Sequence, residues 1–183
     1  MMTLRGFLVP ILLLLVSLPL GAQRRRDPLT DAETDQLREV ADQPEARVKL
    51  WVKFLRARIA ALDQIRSDPK FAAERAKRTH DMLEDFAGMI DELDDNIDQY
   101  SRQKQDVRKA LKEVVEMESD LQLKLRAIQE ATDPPSQKEL PEYKFVLQNA
   151  LESVNQSAAN TRDTLQEQNE EFSKKGKEKE KKK

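Results

Sequence analysis

Between Leu83 and Ile128 the chain repeats one interval pattern for more than six heptads. Leu83, Phe86, Ile90, Leu93, Ile97, Tyr100, Lys104, Val107, Leu111, Val114, Glu118, Leu121, Leu125 and Ile128 follow one another at alternating steps of three and four. Only an α-helix gathers such a series onto one side, and a run this long reads as a coiled-coil seam. Ser67-Asp68-Pro69 precedes the run, and no proline interrupts it before Pro134. The pattern therefore predicts one helix over about 69–131, close to 90 Å long at about 1.5 Å per residue. Lys104 and Glu118 occupy seam positions, where polar residues fix register at some cost in stability.

The flanking segments are shorter and carry their own start signals. Thr30-Asp31-Ala32-Glu33 has the form of a capping box, which predicts a short helix over 30–41. Asp42-Gln43-Pro44 opens the next, expected over 43–66, with proline tolerated in its first turn. That helix has a broad apolar side formed by Val48, Trp51, Val52, Leu55, Ile59, Leu62 and Ile65. Leu50 and Phe54, with Ala57 and Ala61, make a smaller stripe opposite. A last helix is expected over 141–172, opened by Pro141, with Leu147, Leu151, Val154, Ala158, Thr161, Leu165, Gln168 and Phe172 again at steps of three and four.

Tight turns make each flanking helix antiparallel to the long one. The expected fold is all-α: an elongated antiparallel helical bundle or coiled coil built on one long central helix, with a short N-terminal helix. Its domain spans 30–173, between a flexible leader at 23–29 and a disordered Lys-rich tail at 174–183. Few glycines and 5% aromatics argue against a sheet protein or a thick globular core. Charge supports the first pairing: residues 43–66 carry a net +4, whereas 81–98 hold eight acids and no Lys or Arg. Facing helices of opposite sign choose their partner that way.

Residues 1–22 have the layout of a secretory signal peptide. Arg5 precedes an apolar run from Phe7 to Leu20, and Leu20-Gly21-Ala22 offers a small residue before Gln23. The run is short for a bilayer span and holds Pro10 and Pro19. The expectation is an extracytoplasmic protein, in a bacterial periplasm or secreted. A retained anchor is the alternative, because Arg24, Arg25 and Arg26 resist translocation. The chain has no cysteine, so disulfides and thiolate chemistry are excluded.

The sequence offers little to catalysis. His80 is the single histidine, and a lone imidazole beside Asp81 and Glu84 reads as a solvated helix residue. No phosphate-binding glycine loop, nucleophile elbow or zinc spacing occurs, so no catalytic, metal or cofactor site is expected. Asp91, Asp94, Asp95 and Asp98 share one helix flank at i, i+3, i+4 and i+7. A straight helix cannot wrap the six to eight oxygens that calcium requires, so these residues read as a charged contact face. Leu50 and Phe54 read as an exposed apolar contact. Phe54 has a second reading, in which it packs with Trp51 in the core and lysine and arginine stems cover its edges.

The body from 23 to 173 is acidic, about −8, which does not suit nucleic acid. Lys174, Lys175, Lys177, Lys179, Lys181, Lys182 and Lys183 give the last ten residues +5, enough for a weak contact with an anionic membrane or envelope polymer. Leu29 to Glu33 resembles the Leu-Thr-x-x-Gln motif of small periplasmic helical stress chaperones, with Glu33 in place of glutamine. The export signal and helical arms are similar in architecture to trimeric periplasmic holdase chaperones. The leading expectation is a non-enzymatic structural or interaction protein of the cell envelope whose partner is protein, itself included. A holdase chaperone and a surface tether acting through the basic ends are the alternatives.

Overall fold

Thr30 opens the first helix as a capping box. Its hydroxyl accepts the Glu33 amide at 3.2 Å, and the Glu33 carboxylate accepts the Thr30 amide at 2.9 Å. The structure, a computed structural model, describes residues 27–180, with side chains through Lys174. The expected signal segment lies outside the described residues. All regular structure within them is helical: α1 (Asp31–Glu39), α2 (Pro44–Ser67), a 3₁₀ turn (Pro69–Phe71), α3 (Arg75–Arg102), α4 (Arg108–Gln129) and α5 (Pro134–Glu180). No described helix is long and apolar enough to cross a membrane.

The single long helix expected over 69–131 is two helices. It begins only at Arg75, and it breaks after Arg102 in a turn built on Lys104, whose φ is 56°. The amide of Lys104 donates to the Ser101 carbonyl, and that of Gln105 donates to the Tyr100 carbonyl, both at 2.9 Å. This pair of bonds is a Schellman motif, which ends a helix by placing one residue in the left-handed region. Glycine usually fills that position; here it is a lysine. Gln168 of α5 holds the turn from across the molecule. Its side chain accepts the Val107 amide and donates to the Gln105 carbonyl, both at 3.2 Å.

Folding back at this turn lets α2 and α5 each pack against both α3 and α4. The side-chain bonds give the directions. Lys49 meets Glu113 and Asp63 meets Lys124, so α2 and α4 run parallel. Arg75 meets Glu139 and Asp94 meets Ser157, so α3 and α5 run parallel. Arg47 bonds Asn96, and Ser157 bonds Glu118, so α2 is antiparallel to α3 and α5 antiparallel to α4. Both antiparallel pairings follow the expectation. The flanking helices do not tile end to end on one rod.

The width of the buried faces explains this. Beyond the stripe, Ala76, Thr79, Ala87 and Met89 of α3 and Ala110 and Met117 of α4 are also buried. A helix buried over such a broad face packs between two neighbours. One contiguous apolar core therefore runs from Leu37 through Leu55, Phe86, Leu111 and Leu121 to Val154. Trp51 belongs to it and is 2% exposed.

Two further boundaries moved. α5 begins at Pro134, because the Asp133 carboxylate accepts the Ser136 amide at 2.9 Å and so caps the helix. Pro141 therefore lies inside α5 instead of opening it. Arg66 donates to Tyr143 Oη and Ser136 Oγ, and Arg75 pairs with Glu139 at 2.9 Å. These bonds tie the proline-containing turns to the α2–α3 connection. At the other end, helical backbone continues to Glu180, through most of the segment expected to be a disordered tail. The leader too is partly fixed: Pro28 lies on α3 at Gly88, Leu29 packs against the core, and Arg58 donates to the Pro28 carbonyl at 3.0 Å.

Candidate functional site

A polar knot lies in the core where α3, α4 and α5 meet. Glu118 comes from a seam position of α4 and is fully buried. Ser157 and Thr161, one turn apart on α5, are also buried. The Ser157 hydroxyl lies 2.7 Å from Glu118 Oε1 and 2.6 Å from Asp94 Oδ1 of α3. Thr161 Oγ1 donates to the same Glu118 oxygen at 3.0 Å. Glu118 Oε2 is buried with no hydrogen-bond partner.

A carboxylate in this setting resists ionisation, because removing charge from water is costly. Burial pushes Glu118 up to about 7, against the opposing effect of the Ser157 and Thr161 hydroxyls; Asp94 adds to the rise, and Arg162 opposes it. Burial likewise pushes Asp94 up to about 6, opposed by Ser157 and reinforced by Asp98, Asp91 and Asp95. The knot can therefore hold a proton near neutral pH.

The residues expected to make contacts have separate fates. Asp91, Asp95 and Asp98 are exposed on α3, whereas Asp94 turns inward to Ser157. The four do not act as one surface cluster, and no metal-binding group of three or more His, Cys, Asp or Glu forms among the described residues. Phe54 is 3% exposed and Leu50 is packed against the core, so neither is the exposed apolar contact expected of it. Both lie on the flank of α2 that also carries Arg47 and Arg58. Those two side chains reach the Leu37 carbonyl and Glu33, so α1 lies along this flank. Its single buried residue, Leu37, joins the same core.

Charge pairing also differs from expectation. Lys49, Arg56 and Asp63 of α2 pair with Glu113, Glu116 and Lys124 of α4, and Arg58 pairs with Glu33 of α1. Arg47 meets α3 through the amide oxygen of Asn96. Much of the basic charge of α2 thus answers α4 and α1 in place of the acidic stretch of α3. His80 is half-buried, with Nδ1 3.8 Å from Asp81.

Sequence reasoning placed Glu118 and Thr161 at seam positions but did not join them. The signal that joins them is register: in an antiparallel α4–α5 pair these two polar residues fall opposite each other. Ser157, one turn from Thr161, completes the set.

A second feature is a polar cleft of about 460 Å³ where the α1–α2 turn meets the α3–α4 turn, lined by Asp42, Arg47, Asn96, Tyr100 and Gln103. The guanidinium of Arg47 is already engaged there, with Asn96 and the Leu37 carbonyl at 2.9 and 2.8 Å. Outside the core, Phe145 is 81% exposed and Leu123 is 66% exposed. Compared with known proteins, the chain matches no family model, no curated protein and no solved structure.

Proposed function

We propose that this chain is an extracytoplasmic structural or interaction protein that works by docking, without bond chemistry. The export reading rests on the layout of residues 1–22. The docking reading rests on Phe145. Its ring stands in water on α5, while Tyr143 and Leu147 on either side are almost fully buried. Two residues along a helix are about 200° apart, so Phe145 faces directly away from the core. A phenyl ring there contributes nothing to core packing, and exposed aromatic residues serve as anchors in protein interfaces. Phe145 thus takes the role first assigned to Leu50 and Phe54.

The test is a photo-crosslinking phenylalanine analogue placed at 145 and, as controls, at 152 and 166, in cells that express the full chain. A discrete adduct from 145 alone supports docking through α5. Equal or absent adducts at all three positions would remove the reading. Suppression of client aggregation at near-equimolar ratio would instead move the protein to the holdase class.

A further inference from the structure

The bridge between Asp94 and Glu118 is one hydrogen short. A hydroxyl carries one hydrogen and can donate it once. Ser157 Oγ nevertheless sits at 2.6 Å from one carboxyl oxygen and 2.7 Å from another. If both carboxyls were ionised, one of these contacts would set two acceptor oxygens against each other. The Thr161 hydroxyl cannot repair this, because it donates to the same Glu118 Oε1. A hydrogen on one of the two carboxyls completes the bridge. The unpartnered Glu118 Oε2 agrees, since a buried ionised oxygen needs donors that are missing there.

We propose that Asp94, Ser157 and Glu118 form a clasp closed by one bound proton, which joins α3, α4 and α5. Loss of that proton sets two carboxylates against one hydroxyl and loosens α5 from its two neighbours. The surroundings favour this behaviour. On α3, Asp91, Asp95 and Asp98 add like charge to Asp94. On α5, Arg162 favours ionisation of Glu118, but its Nη1 is committed to the Ala158 carbonyl at 3.0 Å. On α2, which packs on both α3 and α4, Lys49, Arg56 and Asp63 are paired with Glu113, Glu116 and Lys124, and Arg47 is bonded to Asn96. A cation is the poorer occupant. The Ser157 hydroxyl is in hydrogen-bond contact with both carboxyls, at 2.6 and 2.7 Å, which leaves no room for an ion between them. The clasp stands on these atoms alone and does not depend on the docking reading.

The variant Glu118→Gln tests it in the full chain. Its amide carries hydrogens at every pH and takes the place of the protonated acid. The thermal midpoint of the unsubstituted protein should fall as pH rises from about 5 to about 8. The midpoint of E118Q should match it at the acid end, exceed it at the alkaline end and vary much less. Equal slopes in the two proteins would overturn the clasp. Infrared spectroscopy of the unsubstituted protein gives a second readout that needs no tolerance of the substitution. A protonated-carboxyl band should persist at about pH 6, above the range of ordinary carboxylates, and be diminished in E118Q. Its absence from the unsubstituted protein would also overturn the proposal.

Discussion

Phe54 and Phe145 carry the same side chain in opposite settings, one 3% and the other 81% exposed. Truncating a buried phenylalanine leaves a cavity, so Phe54→Ala should cost about 3–5 kcal/mol, read from the urea midpoint. Phe145→Ser should change stability by no more than about 0.5 kcal/mol, and it should abolish the crosslink expected at that position. If Phe54→Ala proves neutral, α1 does not cover that flank. Glu33 shows how one side chain serves two purposes. It completes the Thr30 capping box and receives Arg58 at 2.6 Å. Arg58, followed by the Thr30 bonds, holds its carboxyl down to about 2, against the effect of burial. Glu33→Ala should release α1 at a cost of about 1–2 kcal/mol. Hydrogen exchange of the α1 amides would report that release, and unchanged protection would refute it.

At the scale of elements, two features decide the geometry, and both break a local rule. Lys104 occupies a left-handed position where a Cβ costs about 1–2 kcal/mol. Lys104→Gly should relieve part of this and raise stability by about 0.5–1 kcal/mol, whereas Lys104→Val should lower it. A denaturant titration of the three proteins gives the order. Gln168 supports the same turn, and its removal leaves the buried Val107 amide unpaired. Gln168→Ala should therefore cost about 1–3 kcal/mol. Pro141 is the second feature. Inside α5 it has no amide hydrogen to donate to the helix, and the bonds of Arg66 and Arg75 to the surrounding turns hold the segment in place. Pro141→Ala should then stabilise the protein by up to about 3 kcal/mol.

Across the whole molecule, two sets of carboxyls pull the pH dependence in opposite directions. Glu118 and Asp94 bind a proton more tightly when folded, at about 7 and about 6. Their contribution is fully present below the unfolded carboxylate range and is lost as pH rises through those values. Glu33 behaves in reverse. Its contribution is present above its ordinary value of 4.5 and is lost as pH falls through about 2. Stability should therefore peak in mildly acid solution, between the two windows. A thermal scan series across pH should show that maximum for the unsubstituted protein, and E118Q should flatten only its alkaline side. The helical content should persist through the peak, since the apolar core of α2 to α5 does not titrate.

The sequence by itself determined that the chain is helical and where its apolar seams run. Period and capping are local: Thr30 and Glu33 are three residues apart, and Leu83 to Ile128 repeats along one strand of chain. It also located the stripe of α5 and both antiparallel pairings, because short turns leave no other direction. What it did not determine was which helix is long and where the middle one folds. Lys104 and Glu118 looked equivalent, as polar residues at seam positions. Only the packed structure separates them, one exposed in a Schellman turn and the other buried among α3, α4 and α5. The reason is physical. A left-handed lysine carries no local signal, and its strain is met by Gln168, which lies 64 residues further along the chain. Likewise the partners of Glu118 lie on two other helices, so its meaning depends on contacts that exist only after folding.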